Sequence, residues 1–156
     1  MGIAITLKDY LRSHHADFEV MPHAHTGCSI DTASSAHVPG DRLAKSVLLK
    51  DDEGYVMAVL PSTCHVAFNT LNQRMGRHLQ LAREWELEEL FEDCEPGAVP
   101  ALGPAYGLKT VIDERLTAHK DVYFEAGSHE ELIHMRMDQF LDLMGNSYRA
   151  QFARHM

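Results

Sequence analysis

Two apolar, partly β-branched runs lie next to each other in the first half of the chain, at 46–50 and 55–60. The residues between them, 51–54, are three acids followed by a glycine. β-Branched and aromatic side chains favour strands, and a short polar segment with a glycine favours a tight turn. The pattern predicts a β-hairpin, which is the clearest secondary structure in the sequence.

Helical and extended patterns alternate ahead of this hairpin. Thr6 precedes apolar residues at helical spacing, so we expect a helix that Thr6 caps and that frays near 13–15. An extended segment should follow at 18–21. A short alanine-rich helix is expected over 33–37 and should end before Pro39.

The elements after the hairpin are short and of both kinds. In chain order we expect a strand at 65–68, a helix that Asn69 caps and Gly76 ends, a strand at 79–82, a helix at 84–91, strands at 110–112, 122–125 and 132–135, and a helix at 137–144 that ends at Gly145. Strands outnumber helices, and the regular strand–helix alternation of a doubly wound sheet is absent. The order therefore predicts an α+β fold.

Proline and glycine are concentrated in 94–108, with three of each in this stretch. Such a composition does not sustain regular structure, so the stretch is expected to be a shaped loop. Glycine lets backbone N–H groups approach a ligand closely, and proline holds a turn rigid. The loop is suited to binding an oxyanion, although a long surface turn without a ligand explains the composition equally well.

Length and composition indicate one compact domain over 1–156, because the chain has 156 residues that are 45% hydrophobic and 24% charged. Lys8 and Asp9 stand where a signal peptide would need an apolar core, and no apolar run approaches a membrane span. We expect a cytoplasmic protein that does not bind a membrane. Its three widely separated cysteines are expected to be reduced.

The net charge of the chain limits how it could bind nucleic acid. Fourteen basic and twenty-three acidic residues give a net charge of −9, the wrong sign for a broad phosphate-binding surface. We expect no DNA binding and only local contact with RNA.

Two places carry candidate chemistry. Lys45 stands at the start of an apolar strand, where its ammonium could meet a buried carbonyl or phosphate; a lysine that buries only its stem is the alternative explanation. Glu125, Ser128 and His129 bring a carboxylate, a hydroxyl and an imidazole close to Gly127. A polar hairpin tip has the same local pattern, so this turn needs support from elsewhere.

Metal and cysteine chemistry are weaker interpretations. His23, His25 and Cys28 supply plausible zinc ligands among eleven histidines, but their spacing matches no zinc motif. Cys64 and His65 are neighbours in a predicted strand, so their side chains should diverge rather than form a nucleophile and base. The glycines form no phosphate-binding or dinucleotide fingerprint.

Three segments together carry a family resemblance. They are AHVPGDRLAKSVLL at 36–49, with Lys45 opening a core strand, the loop PGAVPALG at 96–103, and the strand and turn VYFEAG at 122–127. These segments resemble the YbaK and prolyl-tRNA-synthetase-associated editing domain family, and the similarity runs from about 18 to 143.

The resemblance implies a small α+β domain with a curved, mixed, partly barrel-like sheet flanked by helices. It also implies a trans-editing aminoacyl-tRNA deacylase, which hydrolyses the ester between a mistaken amino acid and the terminal ribose of tRNA. No metal or other cofactor is expected. The expected partners are the acceptor end of a mischarged aminoacyl-tRNA and an aminoacyl-tRNA synthetase.

Residue roles follow from the same resemblance. Lys45 would orient or stabilise the ester or the adjoining nucleotide, while backbone groups around Gly97 and Gly103 would position the carbonyl and a water. The expected substrate-binding residues are Ser46, Pro100, Ala101, Glu125, Gly127 and His129.

The sequence departs from the family at two of these positions. The family loop commonly has proline four residues after its first glycine, whereas Ala101 stands there in this chain and Pro100 comes one residue earlier. A turn position that holds serine or histidine in better-known members corresponds to Glu125, whose carboxylate would favour a substrate amino group.

Two other functions remain open at this point. One is a non-catalytic module that keeps the fold and binds an aminoacyl group, tRNA or a protein. The other is a metal-dependent hydrolase that uses the histidines.

Overall fold

A computed structural model describes residues 3–24, 33 and 37–156. In chain order its elements are α1 (Ile5–Ser13), β1 (Glu19–Pro22), β2 (Leu43–Asp51), β3 (Gly54–Pro61), β4 (Cys64–Val66), α2 (Phe68–Met75), β5 (Gln80–Leu81), α3 (Glu84–Leu90), a 3-10 helix (Gly103–Tyr106), β6 (Lys109–Asp113), α4 (Glu114–Thr117), β7 (Asp121–Glu125), β8 (Glu131–Arg136), α5 (Met137–Met144), β9 (Tyr148–Ala150) and β10 (Ala153–His155). The predicted α+β class is confirmed.

Within the described ranges, eight strands form one mixed sheet. Seven of them lie in the order β1-β8-β7-β2-β3-β6-β9, and β5 pairs separately with β2. The β2–β7, β3–β6 and β6–β9 pairs are parallel, and the β2–β3, β7–β8, β1–β8 and β2–β5 pairs are antiparallel. Strands β4 and β10 pair with each other in a small second sheet.

Strand β3 is apolar along its length because both of its faces are covered. Met57 and Val59 belong to one buried cluster, which also holds residues of α1 and α5. Val56, Ala58 and Leu60 belong to a second cluster, with Leu71 of α2. Successive side chains of a strand point to opposite faces, so each core takes alternate residues.

The predicted hairpin is confirmed and is longer than the apolar runs. Strands β2 and β3 pair from Ala44 opposite Pro61 to Asp51 opposite Gly54, which leaves only two residues in the turn. Gly54 has a φ of +130°, a backbone conformation that favours glycine.

The glycines predicted to end helices do so, but the residues predicted to cap helix N-termini do not. Gly76 ends α2 with a φ of +64°, as expected, and α5 stops before Gly145. The prediction that Thr6 caps α1 is wrong, since the helix begins at Ile5 and the Thr6 N–H is bound by Asp93 Oδ2 at 2.8 Å. Asn69 is likewise inside α2, which begins one residue earlier.

Some elements differ from the expectation in other ways. Pro104 and its neighbours form the 3-10 helix inside the predicted loop, since proline suits the first turn of a helix. Helix α4 and strands β9 and β10 were not predicted. The helix expected at 33–37 lies mostly outside the described residues.

None of the helices in the described ranges has the length and apolar character that a bilayer crossing requires.

Candidate active site

Strand β2 borders a gap in the large sheet. One of its edges pairs with β3 along the whole hairpin, whereas the other pairs with β7 only at Leu43 and Ala44 and with β5 only at Leu49 and Lys50. Between these two pairings, no strand of the described ranges lies against the second edge. The gap begins at Lys45, a candidate site residue.

The loop after α3 reaches β2 at this gap. The hydroxyl of Ser46 donates a hydrogen bond to the Val99 carbonyl at 3.1 Å. Ser46 shares a sheet face with Ala44 and Leu48, which belong to the same buried cluster as Val99. The loop therefore packs on one face of β2, immediately beside Lys45 in sequence.

Residues 95–98 of this loop form a tight turn. The Ala98 N–H donates to the Glu95 carbonyl at 3.0 Å, and Gly97 has a φ of +81°. Proline followed by a glycine with positive φ is the signature of a type II turn. Gly97 is required here by backbone conformation, whatever ligand the turn binds.

The turn after β7 holds the 95–98 turn in place. Glu95 N–H donates to the Gly127 carbonyl at 2.7 Å, and Gly127 N–H donates to the Ala98 carbonyl at 3.0 Å. His129 adds a bond from its N–H to Glu95 Oε2 at 2.8 Å and a ring contact from Nε2 to the Pro96 carbonyl. A carbonyl oxygen only accepts, so Nε2 carries a proton in this arrangement.

This contact sets the direction of the Pro96–Gly97 peptide. Peptide bonds in the described ranges are trans, so the Gly97 N–H points away from the Pro96 carbonyl and therefore away from the His129 ring. Within those ranges the Gly97 N–H has no backbone partner. It is a donor that a ligand oxygen can use.

Lys45 and Glu125 occupy neighbouring positions on the opposite face of the sheet from Ser46. The parallel register places Leu43 beside Tyr123 and Ala44 beside Phe124. Lys45 and Glu125 are the residues directly after this pairing, and strand alternation puts both on the face that carries Leu43 and Tyr123. Lys45 is half-buried, and Glu125 is the last residue of β7 before the Gly127 turn.

The polar residues of this turn are buried, unlike those of an ordinary hairpin tip. Exposure is 3% for Glu125, 0% for Ser128 and 5% for His129. Gly127 has a φ of +101°, and an added Cβ would lie 2.6 Å from Ala4 Cβ. The turn is thus packed tightly against both the start of α1 and the 95–98 turn.

The structure brings together most, but not all, of the predicted site residues. Lys45, Ser46, Gly97, Glu125, Gly127 and His129 lie in the three connected segments described above. Pro100 and Ala101 are buried, and Ala101 belongs to the main core cluster. Gly103 packs elsewhere, against Thr110 of β6, where an added Cβ would lie 2.0 Å from Thr110 Oγ1.

Glu95 is the residue at this site that the sequence analysis missed. Its backbone and carboxylate both bind the turn after β7, although Glu95 stands at the end of a stretch, 84–95, that is rich in acidic residues. The Glu-Pro-Gly-Ala order, read as a type II turn, was the available signal.

The exposed side of the 95–98 turn borders open volume. A small cleft of about 60 Å³ lies between this turn and α3, with Leu87, Phe91 and Val99 among its apolar lining residues and Glu84 and Glu88 among its acidic ones. Gly97 is among the residues that line this cleft.

Cysteine chemistry finds no support in the described residues. Cys64 is buried while His65 is exposed on the other face of β4, so the two side chains diverge as expected. Burial raises the pKa of the Cys94 thiol to about 12, which keeps it protonated at neutral pH. Cys28 lies outside the described residues.

Within those residues, no group of three or more histidine, cysteine, aspartate or glutamate side chains is arranged to hold a metal ion. His25 and Cys28, from the predicted ligand set, lie outside them.

Comparison with known proteins identifies the family. The family model of the aminoacyl-tRNA editing domain matches residues 23–143, which is most of the chain. The chain belongs to the aminoacyl-tRNA editing domain family. The resemblance seen in the sequence is confirmed, and the matched segment of this editing domain contains β2, the 95–98 turn and the turn after β7.

Solved structures share the fold of this editing domain. Hypothetical protein APE2540 superposes with a TM-score of 0.84 at 20% identity, over 96% of this chain and 99% of that one. A candidate trans-editing enzyme for prolyl-tRNA synthetase gives 0.81 at 19% identity, over 97% and 96%. A candidate signal transduction protein from Marinobacter aquaeolei VT8 gives 0.78 at 23% identity, over 97% of this chain and 31% of that one. No curated protein matches.

Proposed function

We propose that this editing domain is a trans-acting aminoacyl-tRNA deacylase, which hydrolyses the ester of a mischarged tRNA. The observation that carries the proposal is the attachment of the Gly97 turn to β2 and to the turn after β7, beside Lys45. In this proposal, the Gly97 N–H is the fixed backbone donor and Lys45, at the start of the gap in the sheet, is the charged group. Family membership supports aminoacyl-tRNA as the substrate class.

Lys45 and the Gly97 N–H would stabilise charge in this reaction. Water adds to the ester carbonyl carbon, the bond to the ribose oxygen breaks, and that oxygen leaves as a hydroxyl after it takes up a proton. The free neighbouring ribose hydroxyl can assist the proton transfer. The Gly97 N–H donates to the carbonyl oxygen as it becomes negative, and the ammonium of Lys45 orients the ester or the adjoining phosphate.

No covalent nucleophile or metal is required by this scheme. An aminoacyl ester is already activated, so positioning and charge stabilisation supply the rate. The carboxylate of Glu125 favours a substrate with a free α-amino group. Gly103 is assigned no contact with the substrate, because its close neighbour is Thr110.

Single-turnover deacylation of a panel of mischarged tRNAs tests the proposal. We expect the wild type to hydrolyse at least one ester and Lys45→Ala to be slower by about a hundredfold, as for loss of one charge-stabilising donor. Lys109→Ala, which removes an exposed lysine from the start of β6, should keep the wild-type rate. If no ester is hydrolysed faster by the wild type than by Lys45→Ala, the protein is a binding module.

The net negative charge of the protein affects how the tRNA substrate is delivered to it. With a net charge of −9, few phosphate contacts are expected, and a synthetase or another partner is proposed to deliver the tRNA. Binding of tRNA should then weaken only gently with salt. A steep salt dependence without a partner would contradict this part of the proposal.

A further inference from the structure

The backbone N–H and C=O groups of β2 point alternately to its two edges, residue by residue. Ser62 N–H donates to the Leu43 carbonyl at 2.8 Å, so odd-numbered residues of β2 exchange bonds with β3 and even-numbered residues face the other edge. Two hydrogen bonds on that other edge agree with this alternation. Tyr123 N–H donates to the Arg42 carbonyl at 2.9 Å, and Ala82 N–H donates to the Leu48 carbonyl at 3.0 Å.

Ser46 is the even-numbered residue that falls in the gap. Ala44 on one side pairs with β7, and Leu48 on the other side is bound by Ala82. In the described ranges, the pairing with β7 ends at Ala44 and the pairing with β5 begins at Leu49, so no strand pairs with Ser46 across this edge. Backbone polar groups in a sheet are normally paired, so the N–H and C=O of Ser46 offer a donor and an acceptor that a ligand can use within this gap.

We propose that the main chain of Ser46 binds the aminoacyl group of the substrate as if it were one residue of an added strand. An aminoacyl ester has the same order of nitrogen, α-carbon and carbonyl as a residue in a protein. In a hydrogen-bonded antiparallel pair, two facing residues exchange both of their bonds. The substrate α-ammonium would donate to the Ser46 carbonyl, and the Ser46 N–H would donate to the ester carbonyl oxygen.

This assignment deepens the proposed function and rests on it. The Ser46 N–H becomes a second backbone donor at the oxygen where negative charge develops. The carbonyl of Ser46 selects esters that carry a free α-amino group. The side chain of Ser46 has a separate role, because its hydroxyl donates a hydrogen bond to the Val99 carbonyl.

Amide NMR with non-hydrolysable analogues tests the proposal on the wild-type chain. The probe is a 3′-deoxyadenosine that carries, through a 3′-amide, the amino acid whose ester is hydrolysed fastest in the tRNA panel. We expect the Ser46 amide to show a large shift and slower hydrogen exchange on binding. The amides of Val47 and Leu49 bond towards β3 and serve as internal controls.

A second probe removes only the α-amino group, with the corresponding acyl chain in its place. We expect it to bind about tenfold more weakly, because a charge-assisted hydrogen bond is lost. Active wild-type enzyme whose Ser46 amide is unmoved by the first probe, or equal affinity for both probes, would overturn the main-chain assignment alone. If no ester in the panel is hydrolysed, the proposed function falls and the assignment falls with it.

Discussion

The hydroxyl of Ser46 and the carbonyl of Val99 are joined by a hydrogen bond of 3.1 Å, although 53 residues separate them in sequence. This bond fixes the loop of the site to the strand that carries Lys45. Val99 is buried, so its carbonyl depends on protein donors rather than on water. The position of the loop relative to Lys45 is therefore sensitive to one small side chain.

Ser46→Ala should loosen the loop without removing the main-chain groups of β2. We expect single-turnover deacylation to slow several-fold and the free energy of unfolding to fall by about 1 kcal/mol, as for one buried hydrogen bond. Ser46→Thr keeps a hydroxyl and should retain most of the rate. Equal rates and equal thermal stability for Ser46→Ala and wild type would show that this bond does not position the loop.

Glu95→Ala should impair catalysis more than binding. The substitution removes the acceptor of the His129 N–H but leaves the backbone bond between Glu95 and Gly127. A small displacement of the Gly97 N–H should lower the single-turnover rate about tenfold, with KM changed less than threefold. Deacylation rates measured across a range of substrate concentrations separate the effect on the rate from the effect on KM.

Matched variants identify the cause of this loss. Glu95→Gln keeps an acceptor oxygen and should restore most of the rate, whereas Glu92→Ala removes an exposed carboxylate nearby and should have no effect. If Glu95→Gln is as slow as Glu95→Ala, the negative charge of Glu95 matters and its hydrogen bond does not.

Gly103→Ala should destabilise the fold through contact with Thr110. The added methyl group would lie 2.0 Å from Thr110 Oγ1, so one of the two must move. We expect a lower melting temperature for Gly103→Ala and partial recovery in the double variant with Thr110→Ala. Strictly additive losses in this double-mutant cycle would contradict direct contact as the cause.

The sequence predicted elements whose signals are local. Helix α5 matches its predicted range because apolar periodicity and the stop at Gly145 agree, and the β2–β3 hairpin matches because its turn lies between two apolar runs. Strands β9 and β10 are three residues each. Asp113 accepts hydrogen bonds from the N–H groups of Phe152 and Ala153, where β10 begins. A contact between residues so far apart in sequence leaves no periodic pattern.

The candidate site shows the same limit. The resemblance pointed to Lys45 and the Gly97 turn, but neither periodicity nor composition could show that one edge of β2 is unpaired between Ala44 and Leu49. The gap depends on where β7 and β5 end, and these strands lie far apart in sequence. Likewise, the polar turn at 125–129 has the composition of a surface tip, and only the packing of α1 and the 95–98 turn buries it.

Glu86 should make the stability of the fold depend on pH in the acidic range. Its Oε2 accepts the Arg83 N–H at 2.7 Å, and its Oε1 accepts Lys50 Nζ at 2.6 Å and the Tyr55 hydroxyl at 2.9 Å. These bonds, that from Arg83 first, lower the pKa of Glu86 from its ordinary 4.5 to about 2 despite partial desolvation. A lowered pKa means that the unfolded chain binds the proton more readily than the folded chain does.

The contribution of Glu86 is therefore complete above pH 4.5 and is lost as the pH falls towards 2. Urea unfolding at pH 7, 4 and 3 should show a smaller loss of stability on acidification for Glu86→Gln than for wild type. Glu88→Gln, on the exposed side of the same helix, should follow the wild-type curve. The difference between wild type and Glu86→Gln isolates this carboxylate from the other acids that titrate in the same range. Parallel curves for wild type and Glu86→Gln would mean that the bonds from Arg83, Lys50 and Tyr55 do not favour the charged form in the folded protein.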